Sequence, residues 1–176
     1  MDHLSYSAAW LSQWRDDITD AVSSMVLTFE ERNGYEPGAN EVRTVSEEDV
    51  RAVHDDGREL EGFEDLLTFY ESIGEVVLSD VGNGFFVPSA CDVLSRLAQE
   101  GPGSHPRVDD PDGVVIASNG GGILYVAERG GAIHRSRTAS LDSAEFDKVA
   151  DSLPQFLDHV RRCVVRFVET GETGDL

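Results

Sequence analysis

The chain has 176 residues, 40% of them hydrophobic, and its 34 acidic and 14 basic side chains give a formal net charge of −20. This length suits one domain with a continuous core, and so negative a field disfavours binding to nucleic acids or anionic membranes. No apolar stretch approaches the roughly 20 residues that a membrane-spanning helix needs. The N-terminus shows no secretory signal, so we expect a cytoplasmic protein in which Cys91 and Cys163 stay reduced.

The negative charge is uneven along the chain. The first 100 residues carry 22 acids and 6 bases, and residues 41–75 alone carry 12 acids and 3 bases. A surface of this kind attracts basic partners and speeds their encounter. A high net charge also keeps a protein soluble, so the acidic segment indicates either a binding surface or a merely solvated one.

The N-terminal third predicts two helices. Ser7 can cap the first, whose apolar residues recur every three or four positions and form one buried stripe: Trp10, Trp14, Ile18, Val22, Met25 and Phe29. Residues 32–40 combine glycine, proline and asparagine, which indicates a loop. Ser46 and Asp49 have the spacing of a capping box, so a short acidic helix through about His54 should follow.

Residues 63–99 predict a helix, a strand pair and another helix. The apolar positions from Phe63 to Ile73 fit a helix that ends at Gly74, where glycine would take the left-handed conformation. Two β-prone runs flank the Gly-Asn-Gly of residues 82–84 and predict a hairpin. Residues 89–99 then place their apolar side chains on one helical face, and the stretch 101–113 has the composition of a mobile loop.

The C-terminal part predicts an antiparallel meander and a last helix. Three β-prone runs between residues 114 and 138 are separated by short glycine turns. Asp142 and Glu145 would cap a helical turn that contains Phe146 and Val149. Ser152, with Gln155 three residues on, would cap the final helix.

The order of these elements predicts the fold class. Helices at both ends with strand pairs between them indicate a single α+β domain over residues 1–168, with a largely antiparallel sheet. Residues 169–176 are rich in glycine and acids and should form a frayed tail.

The glycines at 120–122 follow an apolar strand, as phosphate-binding glycines do. No lysine and hydroxyl complete a P-loop, however, and Tyr125 stands where a dinucleotide fingerprint needs its third glycine. We therefore interpret the run as a tight reversal between two strands.

Other chemical motifs are equally incomplete. Asp109, Asp110 and Asp112 lack the ligand spacing of a calcium loop, and the five histidines form no close pair of the kind that zinc sites use. No nucleophile elbow marks a hydrolase. The residue patterns give no catalytic, cofactor or metal site, although a small-ligand binder or a hydrolase stays an open alternative.

Four motifs between about residues 57 and 160 occur in a recognisable order. They are an aromatic pair ahead of a glycine, an Asn-Gly-aromatic turn, a glycine turn between two strands, and a helix with a spaced apolar pattern: Phe69, Tyr70 and Gly74; Asn83, Gly84 and Phe85; Ser118 to Tyr125; and Ala150, Ser152, Leu153, Phe156 and Leu157. In this order they resemble the SUKH superfamily, which contains the fungal Smi and Knr cell-wall-assembly regulators and many bacterial toxin-immunity proteins. Leu153 departs from the family, which usually has an aromatic residue there.

The resemblance implies an α+β domain with a curved, mainly antiparallel sheet, acting as a non-catalytic binding module without a cofactor. Bacterial members neutralise unrelated toxin domains, often nucleases or deaminases, by covering them. A nuclease surface is basic because it holds phosphates, so an acidic protein can occupy it. The sequence thus favours an immunity protein, and a regulator or scaffold of the same fold with no toxin partner is the alternative.

The partner-binding residues follow from charge density alone, not from a family motif. We expect a basic protein partner to contact the acids of the 41–75 region and of the loop near residue 109: Glu47, Glu48, Asp49, Asp55, Asp56, Glu59, Asp109, Asp110 and Asp112.

Overall fold

The computed structural model describes residues 5–100, 113–139 and 145–176. Within these ranges the chain forms helices around a seven-stranded antiparallel sheet, in which every strand pairs with the next strand in the sequence. The helices at the two ends of the chain flank the sheet, which confirms the predicted α+β class. The elements are α1 (Ala8–Asn33), β1 (Asn40–Thr44), α2 (Glu47–Asp56), a 3₁₀ turn (Gly57–Leu60), α3 (Glu64–Tyr70), β2 (Ile73–Leu78), β3 (Phe85–Val87), α4 (Ala90–Glu100), β4 (Val114–Asn119), β5 (Leu124–Ala127), β6 (Ile133–Ser136), β7 (Phe146–Ala150) and α5 (Leu153–Thr170).

The two terminal helices pack against each other, and a buried tryptophan links them. Ser7 caps α1 as predicted, with its side chain accepting a hydrogen bond from the Trp10 amide. The indole Nε1 of Trp14 donates to the carbonyl oxygen of Leu157 in α5 at 2.7 Å. Because an indole N–H is costly to bury without a partner, this bond fixes how the helices meet.

The sheet turns one face towards the core. In β2, Val76 and Leu78 are fully buried, whereas Glu75 and Val77, which alternate with them, are only half-buried. This alternation is what a strand produces when its two faces have different surroundings. The same apolar core receives the buried stripes of α1, α4 and α5.

The prediction that a helix runs to Gly74 is wrong. Helix α3 ends at Tyr70, and Ile73 and Gly74 already belong to β2. Gly74 has no positive φ angle; instead, a Cβ atom there would lie 2.4 Å from the carbonyl oxygen of Thr44 in β1. Glycine is needed at this position because β1 and β2 approach closely, not because a helix ends here as we predicted.

The two edge strands were not predicted. We predicted a loop as far as Asn40 and no element for residues 41–44, yet Glu41 pairs with Val77 of β2. At the end of this pair, the Asn40 side chain donates to the Asp80 carboxylate at 2.6 Å and accepts from the Asp80 amide at 3.1 Å.

The second unpredicted edge strand is β7, which contains Phe146 and Val149. We expected these residues in a helical turn capped by Asp142 and Glu145, and that prediction is wrong. Strand β7 pairs antiparallel with β6, and its Asp147 carboxylate binds the Arg137 guanidinium. Ser152, in contrast, caps α5 as expected by accepting from the Gln155 amide.

The glycine run forms the predicted turn between β4 and β5. The Gly120 amide donates to the Asn83 carbonyl at 2.9 Å, and the Gly121 amide donates to the Asn119 side chain at 2.9 Å. The Gly122 amide donates to the Asn119 carbonyl, and Gly122 has a φ of 81°. The amides of the turn are thus used within the fold, which supports its interpretation as a structural reversal.

Residues 169–176, expected to be a frayed tail, begin inside α5, which extends to Thr170. The segment beyond it contacts the sheet: Arg135 donates to the Asp175 carbonyl at 2.7 Å, and Leu176 packs against the core. None of the helices in the described residues combines the length and apolar character needed to cross a membrane.

Candidate functional site

The most acidic part of the described structure is the surface formed by α2, the 3₁₀ turn and α3. Residues 47–71 contain ten acids and only two arginines. These elements are inserted between β1 and β2 and pack on one another, so acids that are apart in sequence share one side of the molecule. We call the acidic side chains of residues 47–71 that reach solvent the acidic surface.

Asp49 does not belong to the acidic surface, although the sequence placed it there. The residue is 3% exposed. Its carboxylate accepts hydrogen bonds from the Ser46 amide (3.1 Å) and hydroxyl (2.7 Å), which completes the predicted capping box, and from the Cys91 amide (3.2 Å). Burial alone would raise the pKa of Asp49, but the hydrogen bonds outweigh it and hold the pKa below its usual value. Asp49 is a structural residue.

The other acids predicted on α2 and the 3₁₀ turn do reach solvent. Glu47, Glu48, Asp55 and Glu59 are exposed, and Asp56 is half-buried. Three of the five have a basic neighbour: Arg51 lies 3.8 Å from Glu47, His54 lies 2.8 Å from Asp55, and Arg58 lies 3.9 Å from Glu59. Such exposed pairs are weak and break readily when a partner offers a better cation.

The remaining acids of this surface are not neutralised. Within the part of the chain that the structure describes, no lysine, arginine or histidine forms an ion pair with these six: Glu48, Asp56, Glu61, Glu64, Asp65 and Glu71. The crowding is visible at the half-buried Asp65, whose pKa is raised by burial and then by the charge of Glu64. A cationic partner would relieve this repulsion.

An open groove of about 720 Å³ runs between α2 and α3, inside the acidic surface. Most of its lining surface is apolar, and these apolar side chains contribute to it: Val50, Val53, Leu60, Leu67 and Tyr70. Exposed ionisable residues form its rim: His54, Arg58, Glu61, Glu64 and Glu71. Val50 is 58% exposed, so much of its apolar side chain faces solvent within the groove. The groove therefore offers an apolar contact surrounded by excess negative charge.

Gly57 lines the groove beside two of its apolar side chains. A Cβ atom at this position would lie 3.5 Å from Leu67 Cδ1 and 3.8 Å from Val53 Cγ1, so Gly57 stands directly over these side chains. Its φ of −57° and ψ of −19° are ordinary helical values that other residues adopt. The glycine is thus not required by the backbone conformation, and a Cβ there would only make ordinary contacts with Leu67 and Val53.

Sequence reasoning found part of this site and missed the rest. It placed α2 and the acids of the 3₁₀ turn correctly on the surface, but it did not single out Val50, Glu61, Glu64 or Leu67. The available signal was the apolar pair Val50 and Val53 at three-residue spacing in a mostly charged helix. Asp109, Asp110 and Asp112 lie outside the described residues.

The arrangement suits binding through charge and apolar contact. In residues 5–100, 113–139 and 145–176, no group of three or more His, Cys, Asp or Glu side chains is arranged to hold a metal ion. The burial of Tyr70, next to the groove, raises its pKa, so its hydroxyl stays protonated at neutral pH.

In comparisons with known proteins, no family model matches the chain and no curated protein matches it significantly.

Proposed function

We propose that this protein is a non-catalytic binding module, an immunity protein that covers and masks a basic toxin domain of the nuclease or deaminase type. The observation that carries the proposal is the acidic surface. Six acids without an ion-pair partner among the described residues lie on α2 and α3 and at the ends of the 3₁₀ turn and α3: Glu48, Asp56, Glu61, Glu64, Asp65 and Glu71. A protein pays in self-repulsion for such a concentration of charge, and a basic partner relieves it.

Electrostatics explains how masking would work. A domain that acts on nucleic acid exposes cations in order to hold phosphates, and those same cations fit the acidic surface. Complementary charge raises association rates by one to three orders of magnitude over neutral surfaces. Fast capture matters for an immunity protein because an active toxin does damage until it is bound.

Two further observations support the proposal. The α+β fold with a mainly antiparallel sheet is the class that the resemblance to the SUKH superfamily implies. A cytoplasmic location is part of the proposal, since the toxin substrates lie there; Cys91 and Cys163 are both free thiols, which is consistent with a reducing compartment.

The test is affinity capture with the immobilised full chain from a lysate of the native cells, at low and at moderate salt. We expect one basic polypeptide as the main catch, retained more strongly at low salt and toxic when it is expressed alone. Capture of a partner that is not toxic would contradict the immunity function and favour a scaffold of the same fold.

A further inference from the structure

The groove between α2 and α3 is built differently from the charged surface around it. Its lining is mostly apolar, and Val50 and Leu67 contribute from opposite sides. Val50 is 58% exposed, so burying it against a partner removes apolar area from water. Charge alone would not require an open apolar groove at the centre of an acidic surface.

We propose that this groove binds an amphipathic helix of the partner, and that lysine or arginine side chains flank the apolar face of that helix. This inference rests on the proposed function and names the element that the partner inserts. The apolar face of the helix contacts Val50, Val53 and Leu67. The flanking cations reach Glu61, Glu64 and Glu71 at the rim.

The walls of the groove favour a helix over an extended segment. They consist of α2, the 3₁₀ turn and α3, whose backbone groups largely bond within their own turns. An extended peptide gains its affinity from backbone hydrogen bonds to a free strand edge, which these walls do not offer. A helix satisfies its own backbone and presents side chains at three- and four-residue intervals, so it packs as a third helix beside α2 and α3.

The charge at the rim selects the flanks of that helix. Glu61, Glu64 and Glu71 line the groove and, among the described residues, have no ion-pair partner. The rim also carries Arg58, which lies 3.9 Å from Glu59, and His54, which lies 2.8 Å from Asp55, so both basic side chains have an acidic neighbour. Acidic flanks on the entering helix would meet like charge, whereas basic flanks are attracted.

The test uses the full chain and synthetic helical peptides of about 12 residues, or three turns. One peptide has a leucine face flanked by lysines, a second has the same composition reordered so that no apolar face forms, and a third replaces lysine with glutamate. Binding is measured by titration calorimetry and located by NMR chemical shifts. We expect the patterned lysine peptide to bind most tightly and to shift the amides of α2 and α3.

Val50→Asp is the decisive variant, and Leu27→Asp is its matched control. Leu27 is 84% exposed on α1 and does not line the groove. Both variants add one negative charge, which by itself strengthens attraction to a cationic peptide. We therefore expect Val50→Asp to weaken the patterned peptide about tenfold through lost apolar contact, and Leu27→Asp to leave it unchanged or slightly tighter. Circular dichroism confirms that each variant is folded.

Two results would overturn the inference. The reordered lysine peptide could bind as tightly as the patterned one, or Val50→Asp could have no larger effect than Leu27→Asp. Either result would mean that charge alone drives binding, and the proposed masking of a toxin would be unaffected. Capture of a non-toxic partner would instead contradict the proposed function and leave the preference of the groove for a basic helix in place.

Discussion

The Asp49 carboxylate in α2 accepts a hydrogen bond from the backbone amide of Cys91, 42 residues further along the chain, at an Oδ1–N distance of 3.2 Å. The Cys91 amide lies in the first turn of α4, where helix amides have no partner of their own. The same carboxylate also closes the capping box of α2 with Ser46. One buried side chain therefore stabilises the starts of two helices and fixes α2 against the body of the fold.

Replacing Asp49 with Asn should destabilise the fold by about 1–3 kcal/mol at pH 7, because the charge-assisted hydrogen bonds weaken and one donor loses its acceptor. The folded pKa of Asp49 lies below its unfolded value near 3.8, so the contribution is complete above that value and is lost as the pH falls through the folded pKa. Urea unfolding from pH 7 to pH 3 should show the difference between wild type and variant shrinking in the acid range. Glu48→Gln, at an exposed neighbour, should show neither effect.

Replacing Gly74 with Ala should destabilise the protein by about 2 kcal/mol or more, because the new Cβ would lie 2.4 Å from the Thr44 carbonyl oxygen and a backbone atom cannot move aside cheaply. Thermal unfolding measures the loss. Gly57→Ala is the control, since the contacts of its Cβ at 3.5 and 3.8 Å are ordinary and its backbone is helical. We expect this control to gain about 0.4–1 kcal/mol. A tolerated Gly74→Ala would contradict the observed approach of β1 to β2.

Replacing Gly120 with Ala should push the turn at residues 119–122 away from the turn at residues 82–84, which the structure holds together. A Cβ at Gly120 would lie 2.2 Å from the Asn83 carbonyl oxygen, to which the Gly120 amide donates. We expect a loss of about 2 kcal/mol by chemical denaturation, against little change for Gly130→Ala, whose Cβ would meet no atom within 4 Å. Phosphate at millimolar concentration should stabilise neither protein. Stabilisation by phosphate that Gly120→Ala abolishes would point to an anion site at this turn.

Reversing the charge of Asp55 and Asp56 to lysine should slow association with the captured basic partner by about tenfold or more at low salt and reduce its salt dependence. Glu30→Lys with Glu31→Lys is the matched control, because this adjacent pair is exposed near the end of α1 and alters the net charge equally. Stopped-flow kinetics at several salt concentrations gives the association rate of each double variant and its salt dependence. Equal slowing by both double variants would show that net charge matters and that the acidic surface has no special role.

Features of the fold that depend on neighbouring residues could be predicted from the sequence. The caps at Ser7, Ser46 and Ser152 each rest on a side chain that bonds an amide three residues on, so a four-residue pattern is sufficient evidence. The turn at residues 119–122 was predicted for the same reason, since adjacent glycines between two apolar runs favour a reversal.

Features that depend on distant residues could not be predicted in this way. Strands β1 and β7 are the two edges of the sheet, and their sequences, NEVRT and FDKVA, lack the strict apolar alternation of a half-buried strand. Gly74 owes its identity to Thr44, 30 positions earlier, which no local pattern reveals. The groove depends on how α2 packs beside α3, so the sequence indicated its acids but neither its apolar lining nor the burial of Asp49.

The most direct measurement of the proposed function is the growth of bacterial cells that express the captured basic polypeptide, with and without this protein. We expect growth to stop when the polypeptide is expressed alone, to recover when this protein is co-expressed, and to recover less with the Asp55→Lys, Asp56→Lys variant than with the Glu30→Lys, Glu31→Lys control. Growth arrest that persists despite co-expression of the folded wild-type protein would contradict the proposed masking of a toxin.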